Sequence, residues 1–175
     1  MDIKESIRTV PDFPKKGIQF RDITSMLESP EAFNKALIDM TAECMMFEAT
    51  KIVAIESRGF LFGSPLARDM ELPLILARKP GKLPNPTYQR NYTLEYGEAT
   101  IEVHKDSVGK DEKILIIDDL IATGGTAEAA AKLIEISDGQ VAGFIFIINL
   151  FDLPGNNLLK KKSYFTRSLI EFPGH

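Results

Sequence analysis

The stretch Ile-Leu-Ile-Ile-Asp-Asp-Leu-Ile-Ala-Thr-Gly-Gly-Thr, residues 114 to 126, constrains the fold more than any other part of this 175-residue chain. Ile114 to Ile117 form an uninterrupted apolar run, which suits a strand buried on both faces of a sheet rather than one wetted on one side. Two adjacent acids, Asp118 and Asp119, follow it. Then come a loop of small residues and a helical pattern that begins at Thr126. Strand, tight loop and helix make the first half of a β-α unit. Parallel sheets built from such units place their ligands at the carboxyl ends of the strands.

The rest of the chain follows the same grammar. Lys51 to Glu56 is a short apolar run rich in β-branched residues and is predicted as a strand. Gly59 to Met70 is predicted as a helix and Leu74 to Ala77 as another strand. Thr126 to Ser137 carries Ala127, Ala130, Leu133 and Ile134 on one face, with Gly139 as its C-cap, and Gln140 to Leu150 is a long apolar strand. Upstream, Ser29 caps a helix that has Pro30 at its first position, with Phe33, Ala36, Leu37 and Met40 at helical spacing. Ile3 to Val10 reads as a short helix, stopped by Pro11-Asp12-Phe13-Pro14. Lys79 to Pro86 is proline-rich and predicted as a loop, and Asn91–Tyr96 with Ala99–His104 as a hairpin around Gly97. The expectation is one α/β domain over residues 1–175: a mostly parallel, twisted sheet flanked by helices.

Composition narrows the class. A net charge of −4 argues against a duplex nucleic-acid partner, whose binders carry a basic excess. Cys44 is the single cysteine, so no intrachain disulfide can form. It reads as a small core hydrophobe, and the chain suits a reducing, cytoplasmic setting. The longest apolar stretch, Val141 to Ile148, falls far short of the roughly 20 residues that span a bilayer, and no signal-peptide core follows the charged N-terminus, so no membrane partner is expected. His104 and His175 carry no evident chemistry.

The 118–126 segment has a specific chemical use. Gly124 and Gly125 let the backbone approach an anion closely, and the helix start aims unpaired N–H groups and a positive dipole end at it. Thr123 and Thr126 add hydroxyl donors. The acids repel a phosphate but suit neutral hydroxyls, or a cation held beside it. A ribose 5-phosphate offers both halves: its phosphate for the loop and its 2- and 3-hydroxyls for Asp118 and Asp119. Rival phosphate motifs are missing: no Gly-x-x-x-x-Gly-Lys-Ser/Thr is present, and no Gly-x-Gly-x-x-Gly follows a strand.

This segment closely resembles the phosphoribosyl pyrophosphate signature of the type I phosphoribosyltransferases. The resemblance implies that residues 113–126 hold the sugar phosphate, with Asp118 and Asp119 on the ribose and Ala122, Thr123, Gly124, Gly125 and Thr126 on the 5-phosphate. It also implies a small N-terminal hood (1–30), a flexible hairpin loop (78–104), Mg²⁺ carried by the substrate with no direct protein ligand, and a homodimer. Three further segments are similar to the family's adenine-using, bacterial-type members. In Pro11–Thr24 the implied base contacts are Phe20, by stacking, and the backbones of Gln19 and Arg21. In Glu56–Gly63, Ser57 and Arg58 are implied at the pyrophosphate, joined by Arg78, Lys79 and Lys82 from the loop that follows. In Leu94–Gly97, Glu95 is implied beside N7 of adenine. The neighbouring possibilities are the same chemistry on xanthine, guanine or hypoxanthine, and a regulator that binds phosphoribosyl pyrophosphate without turning it over.

Glu95→Leu tests the implied catalytic group. Turnover is expected to fall about a hundredfold, the low end of what a positioned acid or base contributes, while phosphoribosyl pyrophosphate affinity changes far less. Steady-state rates equal to the parent's would remove Glu95 from the chemistry.

Overall fold

The computed structural model describes residues 2–94 and 97–174; Met1, Glu95, Tyr96 and His175 lie outside the described residues. The chain opens with a 3-10 turn, Ile3–Ser6. Strands β1 (Arg8–Pro11) and β2 (Gln19–Asp22) then pair antiparallel in a small sheet of their own. The helix expected over Ile3 to Val10 therefore stops at Ser6. Tertiary pairing overrides the local pattern: the Arg8 backbone lies opposite Asp22, and the two side chains form an ion pair at 2.5 Å.

Two helices follow, α1 (Thr24–Leu27) and α2 (Pro30–Cys44). The N-terminal signal of α2 is met as expected: the Ser29 hydroxyl accepts the Ala32 N–H at 3.3 Å, and Pro30 opens the helix. Next come β3 (Lys51–Ile55), α3 (Gly59–Asp69) and β4 (Leu74–Ala77), then a hairpin of β5 (Thr87–Thr93) and β6 (Glu98–His104). The chain continues with β7 (Lys113–Ile121), α4 (Gly125–Ile136), β8 (Gln140–Leu150), α5 (Gly155–Lys161) and β9 (Thr166–Phe172).

The main sheet is five-stranded and wholly parallel, in the order β4-β3-β7-β8-β9. Each face carries a core. On one, α2 and α3 pack Met40, Cys44, Phe62 and Leu66 against Ile52, Leu115, Ile117 and Ile145. On the other, α4 and β6 pack Ala130, Leu133, Ile134 and Val103 against Val53, Ile116, Phe144 and Phe146. Cys44 is buried, as its composition-level reading required.

One feature of this order positions the site. From β3 the chain winds outward to β4; from β7 it winds the other way to β8 and β9. The winding reverses between β3 and β7, and a crevice opens beyond their carboxyl ends. Glu56-Ser57-Arg58 leaves one strand there and Asp118-Asp119 ends the other.

Local differences from the sequence reading have physical reasons. The sequence reads a strand over Lys113 to Asp119, and β7 runs two residues further, to Ile121, because β8 pairs with it that far. β5 starts at Thr87, earlier than expected, since Lys105 N–H bonds Pro86 O at 2.9 Å and closes the hairpin's base. At the end of α4, Asp138 takes the left-handed conformation (φ 63°), not Gly139. Gly139 instead bonds Ile134 O at 3.0 Å, and a Cβ there would meet Val108 at 2.5 Å. β2, α5 and β9 carry too few regularly spaced apolar residues to be read beforehand.

Candidate active site

Asp118 and Asp119 sit side by side where β7 reaches the crevice. The Asp119 side chain is 6% exposed, and the Asp119 N–H bonds Asp118 Oδ1 at 2.9 Å. Burial pushes the Asp118 carboxyl well above the usual carboxylate range, and the Asp119 charge adds to the rise. Burial also raises Asp119, against the pull of Arg58. Arg58 Nε lies 2.8 Å from Asp119 Oδ2, yet that oxygen has no aligned hydrogen bond. The pair is held by charge without hydrogen-bond alignment.

The loop beyond β7 has the features its sequence demanded. Gly124 stands at φ 85° as the N-cap of α4, and a Cβ there would come within 2.8 Å of Gly155 Cα. The first helical bond is Glu128 N–H to Gly124 O at 2.9 Å, so the N–H groups of Gly125, Thr126 and Ala127 precede the ladder and are open. The loop rests on the first turn of α5, where Gly155 N–H bonds Ala122 O at 2.9 Å.

Across the crevice, Ser57 and Arg58 are exposed after β3, and the Glu56–Ser57 peptide is cis. Gly59 opens α3 directly against the acids: a Cβ there would lie 2.9 Å from Ile117 O and 3.1 Å from Asp118 Oδ1. Glycine at this point lets the α3 end and the β7 end share one wall. Glu56 is a residue the sequence reading passed over. Its carboxylate accepts the Lys79 N–H at 2.7 Å and faces Arg78 Nε at 3.3 Å. Burial works to raise its pKa, but the Lys79 N–H and the Arg78 charge outweigh it, and the net shift is downward. Its place after a strand end was the available signal.

These parts enclose a cleft of about 390 Å³ whose lining includes Ser57, Arg58, Lys79, Asp118, Asp119, Leu120 and the whole 122–126 loop, together with Glu56, Tyr92 and Leu94. Gln19, Phe20 and Arg21 line a second, apolar cavity of about 140 Å³ with Leu150, Leu153 and Gly174. Arg58, Leu120 and Ala122 belong to both walls, so the cavities adjoin. Arg58 Cζ lies 5.9 Å from the Phe20 ring centroid. Two of the basic residues singled out stand elsewhere. Arg78 is committed to Glu56, and exposed Lys82 takes part through its backbone, accepting from Arg78 at 3.5 Å. Glu95 lies outside the described residues. The hairpin that carries it comes close to the cleft, since a Cβ on Gly125 would meet Thr93 O at 2.7 Å.

The raised Asp118 carboxyl has a consequence for stability. Its folded pKa lies above the unfolded value, so its ionisation opposes folding as pH rises past about 4. Asp118→Asn removes that penalty. The variant is expected to melt at a higher temperature than the parent at pH 7, with the advantage vanishing below about pH 4, where both states of the parent are protonated. Thermal scans across pH check this; a variant less stable at pH 7 would contradict the assigned strain.

Comparison with known proteins agrees with this geometry. The phosphoribosyl transferase domain family matches residues 24–173. The adenine phosphoribosyltransferase of Pelagibacter ubique is 53% identical over 175 residues, covering 100% of both chains. The crystal structure of adenine phosphoribosyltransferase from Thermoanaerobacter pseudethanolicus superposes with a TM-score of 0.92 at 45% identity, covering 97% of this chain and 98% of that one. The enzyme from Saccharomyces cerevisiae, complexed with an imino-altritol bisphosphate and adenine, gives a TM-score of 0.87 at 31% identity, with 96% of each chain covered. On this fold, this crevice and these likenesses, the chain belongs to the type I phosphoribosyltransferase family, among its adenine phosphoribosyltransferases.

Proposed function

We propose that the chain transfers the 5-phosphoribosyl group of phosphoribosyl pyrophosphate to N9 of adenine, giving AMP and pyrophosphate, as a purine-salvage enzyme. One observation carries the reading. A cleft that joins two strand-end carboxylates to an open helix N-terminus runs directly into an apolar cavity walled by Phe20.

In this reading the bond from ribose C1 to pyrophosphate breaks as N9 bonds C1 from the opposite side, through a state resembling an oxocarbenium ion. The protein's part is positioning and charge stabilisation. The N–H groups of Gly125, Thr126 and Ala127, with the hydroxyls of Thr123 and Thr126, hold the 5-phosphate. Asp118 and Asp119 accept the ribose hydroxyls, and each such bond favours the ionised carboxylate that burial opposes. Ser57, Arg58 and Lys79 meet the pyrophosphate, with Arg78 and Lys82 behind them. Arg58 exchanges Asp119 for phosphate oxygens, which frees Asp119 for the sugar. The Phe20 ring gives the base a flat apolar face. Only one edge of β2 is paired, so backbone groups at Gln19 and Arg21 remain for the adenine edge. Glu95 manages the N7 proton, on a hairpin that closes over the reactants.

Mg²⁺ fits this donor set as a companion of the substrate. Among the described residues no group of three His, Cys, Asp or Glu side chains forms a cage, and Mg²⁺ relies on substrate phosphates and waters. Asp118 and Asp119 would be the carboxylates available to it in the cleft, and with Mg²⁺ bound the charge on the departing pyrophosphate would be neutralised. We place the enzyme in the cytoplasm, which its single buried thiol suits, and read it as a homodimer from its family likeness.

The test mixes adenine, phosphoribosyl pyrophosphate, Mg²⁺ and the protein. AMP and pyrophosphate are expected in equal amounts, with turnover on hypoxanthine lower by at least about a hundredfold, as for a site whose polar groups match one substrate edge only. Faster turnover on hypoxanthine would reassign the base, and binding without turnover would make the chain a sensor.

A further inference from the structure

The adenine cavity has a wall that the catalytic reading does not use. Gly174 lines it, just beyond β9. Pro173 and Gly174 cross from the end of the main sheet to the small β1–β2 sheet and are gripped from two sides. On one side stands Arg21, only 8% exposed. Its Nη2 donates to Pro173 O at 2.8 Å, its Nη1 to Thr9 Oγ1 at 2.5 Å, and its Cζ lies 4.6 Å from the Phe172 ring centroid. The remaining Nε is buried without a partner, a cost accepted for a fork aimed elsewhere. On the other side, Gly174 N–H donates to Asp152 Oδ1 at 2.5 Å. The fit is tight: a Cβ on Gly174 would lie 2.8 Å from Leu153 Cγ and 3.0 Å from Asp152 Oδ1.

The small sheet needs such a grip. Among the described residues β2 pairs only with β1, and no strand of the main sheet bonds to either. The distance between Phe20 on β2 and Leu150 and Leu153 on the main body, which is the width of the base cavity, is therefore fixed by side-chain contacts. The Arg21 contacts with Phe172 and Pro173, and Lys4 Nζ at 4.9 Å from the Phe172 ring centroid, are of that kind.

We infer that the Arg21 side chain is a positioning residue for the base. It holds Pro173–Gly174 as a strap that sets the width of the cavity, while Asp152 fixes the strap's far end. The inference rests on the adenine reading of that cavity. It separates the two roles of Arg21: the backbone faces the ligand, and the side chain acts through the strap.

Arg21→Met, Asp152→Ala and the double variant test it, with KM for adenine and for phosphoribosyl pyrophosphate measured separately. Each single change is expected to raise KM for adenine roughly tenfold, the scale of one lost hydrogen bond involving a charged group. KM for phosphoribosyl pyrophosphate should stay within about twofold. Both changes release the same strap, so the double variant should be little worse than the weaker single. Arg21→Lys, which keeps the charge but not the fork, should fall between parent and Arg21→Met. AMP titrations by calorimetry should give the same order without turnover. If Arg21→Met folds poorly, Asp152→Ala, on the exposed side, reads the effect alone. An unchanged KM for adenine, a parallel rise in both KM values, or single effects that multiply in the double variant would overturn the strap. A parent that prefers hypoxanthine would overturn the base assignment instead, and the variants are then read on hypoxanthine.

Discussion

Two neighbouring carboxylates held at the end of a strand, where burial opposes the ionisation of both and the charge of Asp119 adds to that on Asp118, are what the rest of the site is built around. The packing of β7 between β3 and β8 buries Asp119 and leaves Asp118 half-buried at the cleft, and Gly59 brings α3 to within contact of Asp118. Such an arrangement costs stability in the empty protein, and Arg58 offsets the cost only in part, by an ion pair without hydrogen-bond alignment. A ligand that offers hydroxyls to the acids and anionic oxygens to the arginine relieves both at once. Strain of this kind at a strand end is a common mark of a binding site.

The same economy runs through the loop that follows. Its glycines are set by close approaches to backbone: Gly124 to Gly155 of α5, and Gly125 to Thr93 of the hairpin. The 122–126 loop is thus held in place by three separate elements, α4, α5 and β5. A pre-formed site loses less conformational freedom on binding. The cavity beside Phe20 is assembled differently. One wall belongs to the main sheet's loops and the other to the small β1–β2 sheet, which no ladder among the described residues ties down.

Much of this was legible from the chain itself because it rests on short-range rules. The apolar run 114–117, the acid pair and the Thr-Gly-Gly-Thr turn announced strand, site and helix start, and Ser29-Pro30 announced α2. The elements that were not legible are those formed by partners distant in sequence. β1 and β2 become strands because they find each other. β9 is an edge strand of mixed burial, with no periodicity strong enough to read. In the site, Asp118, Asp119 and residues 122–126 stand where the pattern put them, since one local segment carries them all. The cleft wall formed by Lys79, the engagement of Arg78 by Glu56, and the part of Gly174 in the base cavity depend on the strand order, which no single segment encodes.

The most direct measurement follows backbone amide resonances while ribose 5-phosphate is titrated into the protein. The account predicts the largest shifts at Gly124, Gly125 and Thr126, with Asp118 and Asp119 moving at the same ligand concentration, because one molecule engages both ends of the segment. Saturable shifts confined to other parts of the sheet, with residues 118 to 126 silent, would contradict it.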